Sequence, residues 1–238
     1  MNGSNDRKAA LTGMSQFATL FDEEIWDMDM EAAIVADQHD VDNHLAQMGL
    51  TRDELVRSIR FAESERALCT DNDPVGFANM MAYARAGRKL REILVPKGWE
   101  KDDTNNQCAV KNPKAKVRIV PCNFDDGAGN RLQTPSNKSP KGEVSRRKSL
   151  CNRTAWLPGL VPIEAPVDAD GYETWLLGMR IDDNVPTGAE LSLPVDFDGS
   201  YFTQFGKRII LLDGSEEKIS ERADDDAFEI IDITVKRK

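Results

Sequence analysis

A chain of 238 residues, 40% hydrophobic and 30% charged, is long enough to bury a core and too apolar to stay disordered. No apolar run approaches the roughly 18 residues of a membrane span, and residues 1–17 lack the apolar stretch of a secretory signal, so a membrane or secreted protein is not expected. The formal net charge is −10, yet residues 85–153 hold 17 Lys and Arg against 7 Asp and Glu, a basic block inside an acidic protein.

Residues 1–13 are polar and predict a flexible tail. Residues 14–95 read as a helical region. Within 30–48, Ile34, Val41, Leu45 and Met48 fall close to helical spacing, and Gly49 is placed to close that helix in the left-handed conformation. Thr51-Arg52-Asp53-Glu54 reads as a capping box for a second helix over 52–68, with Leu55, Ile59 and Ala62 on one face. Asp73 and Pro74 predict the start of a third helix that runs to about 94. Its apolar residues fall into two sets, Phe77 to Ala84 and Leu90 to Leu94, that do not share a face. A bend or a buried crossing is expected near Gly87.

Pro96 and Gly98 end the helical pattern, and residues 96–238 read as a β-rich domain. Lys116-Val117-Arg118-Ile119-Val120 alternates as a strand with one wet face does. Residues 123–149 are rich in Gly, Pro and small polar side chains and predict a long basic loop, mobile or ordered by a partner. Further short strands are expected at 174–180, 189–193, 201–205, 207–212 and 228–235, with turns at Asp198-Gly199 and Asp213-Gly214. The fold class is α+β: a helical N-terminal half followed by a mostly antiparallel sheet in the C-terminal half.

The basic segment carries the strongest functional signal. Lys138, Lys141, Arg146, Arg147 and Lys148 stand among serines, and Gly142 permits close backbone approach. Lys114, Lys116 and Arg118 extend the cationic stripe, and Trp99, with Phe124 and Trp156, is placed to stack bases. These residues predict a non-enzymatic, cytoplasmic nucleic-acid-binding protein that contacts the phosphate backbone as a subunit of a larger assembly. The acidic flanks support a different reading, an interaction or inhibitor protein that contacts a basic protein partner. A third reading is a metal-dependent nuclease, for which Glu216, Lys218 and one of Asp196, Asp198 or Asp213 supply the residue types.

Other motifs are weaker. His39 and His44 are the only histidines, and a spacing of five places them about 140° apart on a helix, poor geometry for a shared metal. Cys69, Cys108, Cys122 and Cys151 form no Cys-x-x-Cys pair, so reduced thiols and no zinc are expected. No cofactor motif is present. The two helices around Gly49 have the turn glycine of a helix-turn-helix, but Leu45 is bulky where close approach needs a small residue and the segment is acidic. An ordinary helical hairpin is expected there.

Overall fold

The computed structural model describes residues 32–156, 170–182 and 185–215. The expected tail at 1–13, the strand at 228–235 and the Glu216 to Lys218 motif lie outside them. The helices are α1 (Gln38–Met48), α2 (Arg52–Arg66), α3 (Phe77–Leu94) and α4 (Glu143–Trp156). The strands are β1 (Ala33–Val35), β2 (Glu100–Asp102), β3 (Ala109–Asn112), β4 (Val117–Asn123), β5 (Glu173–Arg180), β6 (Gly188–Asp198) and β7 (Tyr201–Asp213). The strands form a single sheet in the order β1-β7-β6-β5-β4-β3-β2. The protein is therefore α+β, with helices preceding most of the sheet.

One part of that expectation needs correction. The sheet is mixed rather than mostly antiparallel, because β4 runs parallel to β5 and β1 parallel to β7. A parallel neighbour needs a crossover connection, usually through a helix. Residues 143–156 supply that helix as α4, where a loop was expected through 149. The start of α1 also differs. Residues 33–35, expected as helix, extend along β7 instead, and Asp37 opens α1 by accepting the His39 N–H at 3.0 Å.

The rest of the first two helices follows its local code, but α3 starts later than expected: it begins at Phe77 behind Gly76 (φ 83°), and Asp73, expected as its N-cap, accepts the Thr70 N–H at 2.7 Å instead. Gly49 sits at φ 76°, and Thr51 and Glu54 make both bonds of the capping box. Leu45, Leu55 and Ile59 are fully buried. In α3 the buried stripe is Ala82, Ala86, Leu90 and Leu94, while Met80 remains exposed. The helix passes Gly87 unbroken and crosses the sheet closely there; a Cβ at Gly87 would lie 2.5 Å from Cys108 Sγ. These side chains share one core with Ile119, Trp175, Leu177, Leu191 and Ile209 of the sheet.

Alternate residues of the same strands face the other side. There Val120, Cys122, Leu176, Phe202 and Phe205 cluster with Phe124, and α4 packs over β5 and β6. The segment expected as one basic loop divides in two: 143–149 begin α4, and 124–142 lies irregularly over the sheet. That irregular stretch is held from beneath. Arg208, 2% exposed, donates to the carbonyls of Gln133 (2.9 Å), Asn130 (2.9 Å) and Gly127 (3.3 Å). Its guanidinium also pairs with the fully buried Glu190 at 2.6 Å, and Glu190 accepts the Gly129 N–H at 2.9 Å. Gly129 is required at this point. Its φ is 77°, and a Cβ there would run into the Leu212 carbonyl.

Candidate nucleic-acid interface

The first turns of α4, the preceding residues 140–142, the β2–β3 connection and the sheet enclose a cavity of about 330 Å³. Its placement starts with α4. Val144, Ser145 and Lys148 line the cavity from one helix face, as their i, i+3 and i, i+4 spacing requires. Farther along, Ser149 and Asn152 are buried against the sheet. The Asn152 amide donates to the carbonyls of Thr174 (2.8 Å) and Pro194 (2.9 Å), and its oxygen accepts the Thr174 N–H at 2.9 Å. This clamp sets α4 across β5 and β6 and so sets where Lys148 stands.

The cavity floor is apolar: Val120, Cys122 and Leu176 from the sheet, and Phe202. The rim is polar. Asn105, Asn106 and Gln107 come from the β2–β3 connection, Tyr83 from α3, and Lys141, Gly142 and Lys148 from α4 and the residues just before it. Asn105 and Asn106 both adopt left-handed backbone (φ 58° and 59°), which Asn tolerates better than other non-glycine residues but which remains rare. Lys148 donates to the Gln107 side-chain oxygen, and the Gln107 amide donates to Ser145 Oγ at 3.3 Å. Gln107 thereby ties the β2–β3 connection to α4.

Electrostatics divide the rim from the floor. The Lys141 N–H is anchored to the Ser200 carbonyl at 2.9 Å, and its ammonium makes no ion pair among the described residues. Burial pushes the Cys122 thiol up to about 11, although Lys141 favours the thiolate. Cys122 is thus a neutral thiol at physiological pH and a poor nucleophile. Burial also raises the Tyr83 phenol, and its oxygen accepts the Cys108 N–H at 3.0 Å. Among the described residues the Tyr83 proton has no acceptor.

The other expected site residues are distributed more widely. Lys138 is exposed one turn of chain before Lys141. Arg146 is on the outer side of α4, 3.7 Å from Glu143. Arg147 is half-buried on the same helix. Lys114 and Lys116 are exposed in the β3–β4 turn, with the Lys116 ammonium 4.9 Å from the Tyr172 ring centroid. Two expectations are corrected by burial. Trp99, 4% exposed, belongs to the core beneath the helices and has no face open to a base. Arg118 is equally buried, paired with Asp102 at 2.7 Å and also with Asp170, so it is not open to phosphate. The strand alternation placed Arg118 on a wet face, but Asp102, Asp170 and Tyr172 cover that face. Phe124, fully buried against the close-packed Gly178, is not available for stacking either. The sequence reading missed Asn105, Asn106 and Gln107; an Asn-Asn pair is a turn signal that could have marked them. Nothing local marked Tyr83 or Cys122.

The Arg118 pair has its own consequence. Burial raises the Asp102 carboxyl, but hydrogen bonds from Thr104 and the Arg118 guanidinium outweigh it and hold the group at about 2. A folded pKa below the ordinary 3.8 means stability present above about pH 4 and lost as pH falls toward about 2, on the order of 2 kcal/mol. Urea unfolding at pH 6 and pH 2.5 should therefore show a smaller acid loss in Asp102→Asn than in the unmodified protein. Equal losses would remove Asp102 as a source of acid sensitivity.

Among the described residues no three His, Cys, Asp or Glu side chains gather where a metal ion could sit. All four cysteines are free thiols. No described helix is long and apolar enough to cross a membrane. Comparison with family models, curated proteins and solved structures gives no match to this chain.

Proposed function

We propose that this protein is a non-enzymatic nucleic-acid-binding protein that holds backbone phosphates at the mouth of the α4 cavity. The observation that carries this reading is the convergence of Lys141 and Lys148 with the N-terminal turn of α4 on one concave site. Ammonium groups and the positive end of a helix both favour phosphate oxygens. Glu143 in that turn is 63% exposed on its side chain and leans toward Arg146 rather than into the cavity. Lys138 extends the cationic surface along the chain, and the acidic remainder repels a polyanion from other faces.

Affinity for single-stranded DNA, RNA and duplex DNA should be measured at two salt concentrations. Lys141→Ala with Lys148→Ala is expected to weaken binding and to reduce the salt slope for single strands by roughly 1.4, two contacts at about 0.7 each. Lys114→Ala with Lys116→Ala, at a separate turn, should change it less. Absence of binding to any of the three at low salt would overturn this function and favour the acidic surface as a contact for a basic protein.

A further inference from the structure

We infer that the α4 cavity accepts one unstacked nucleobase, so that the protein prefers single strands to duplex. This rests on the phosphate reading above and adds what lies beyond the phosphate. The cavity, about 330 Å³, is at the small end of ligand pockets, a space suited to one ring system and not to a double helix. Its floor of Val120, Cys122, Leu176 and Phe202 is apolar, and the Cys122 thiol is neutral. A phosphate driven onto that floor would lose hydration without gaining a partner, whereas the face of a base loses little.

The rim supplies what a base edge needs. Asn105 and Asn106 each offer an amide donor and an amide acceptor, and the Tyr83 proton has no acceptor among the described residues. These are neutral groups of the kind that read the Watson–Crick edge of an unstacked base. Lys141 and Lys148 line the same cavity, with Lys148 bonded to Gln107 next to Asn106, and the flanking phosphates of an inserted nucleotide would meet these ammonium groups. The Gln107 link between Lys148 and Ser145 ties the β2–β3 connection to α4 before any ligand arrives. A duplex can fill the slot only by extruding a base, which costs a few kcal/mol of pairing and stacking, and a single strand avoids most of that cost.

The test compares three ligands of equal length at low salt: a single-stranded DNA, its duplex, and an abasic single strand that keeps the phosphates. The intact protein is expected to bind the single strand at least about tenfold more tightly than either of the others. Val144→Trp, which projects a large ring from the α4 rim, is expected to bring single-strand affinity down to the abasic level while thermal unfolding stays cooperative. Equal affinity of the intact protein for all three ligands would overturn the base slot and leave the phosphate site standing. Failure to bind any of them would overturn both. A folded Val144→Trp protein that keeps the full preference would also overturn the slot, and if that variant does not fold, the three-ligand comparison decides alone.

Discussion

Arg208→Met is expected to destabilise the protein by about 3–5 kcal/mol, the usual cost of removing one partner from a buried ion pair. Three kinds of loss combine. Glu190 would remain fully buried, accepting from Gly129 but without its counter-charge. The carbonyls of Gly127, Asn130 and Gln133 would lose the guanidinium donors that now satisfy them. The irregular stretch over 124–142 would also lose its tie to β7. Urea unfolding measures the first two losses, and trypsin cleavage after Arg131 reports the third. A stability loss under about 1 kcal/mol would show that other contacts hold this stretch. Combining Arg208→Met with Glu190→Met should restore part of the stability, because it removes the stranded carboxylate but not the stranded carbonyls.

Leu55→Ala and Ile59→Ala are each expected to cost about 2–5 kcal/mol. Both side chains are fully buried, one turn apart on α2, in the core shared by the helices and the sheet. Their effects should not sum, since they border the same space. The denaturation midpoint should fall with little change in slope. This core lies on the opposite sheet face from the α4 cavity, so the salt dependence of nucleic-acid binding should survive in both variants under folding conditions. A midpoint shift too small to measure would mean that the α2 face is not packed as described. A changed salt slope in a folded variant would mean that the two faces are coupled.

The short-range features were legible in the residues. Gly49, the Thr51–Glu54 box and the turns at Gly199 (φ 59°) and Gly214 (φ 79°) involve groups only a few positions apart, and few residues adopt those conformations comfortably. Strand alternation through β4 was legible for the same reason. By contrast, residues 143–149, which begin α4, were read as part of a loop because they continue a stretch rich in Gly, Pro and small polar side chains, and serines such as Ser145 and Ser149 compete with helical hydrogen bonding when solvated. In the folded chain Ser149 donates back to the Ser145 carbonyl at 3.1 Å, and Asn152 binds β5 and β6. The partners of Asn152 are distant in sequence, so no local pattern reports them.

The candidate site divides in the same way. Composition located the excess of positive charge in residues 85–153, and the sequence offered Lys138, Lys141, Arg146, Arg147 and Lys148, with Lys114, Lys116 and Arg118, as equal candidates within it. Which cations meet at one cavity was decided by tertiary structure. A sum of charges does not distinguish Arg118, neutralised between Asp102 and Asp170, from Lys141, whose ammonium lies beside an apolar floor. Likewise the aromatic character of Trp99 was plain, but its burial under the helices depends on how α3 crosses the sheet. The sequence by itself determined the caps at Gly49 and Thr51, the glycine turns, strand alternation and the sign of the charge, because these arise between near neighbours. Only the tertiary structure decided the parallel β4–β5 pairing, the burial of Arg118 and Trp99, and the α4 cavity, because each depends on partners brought together from distant parts of the chain.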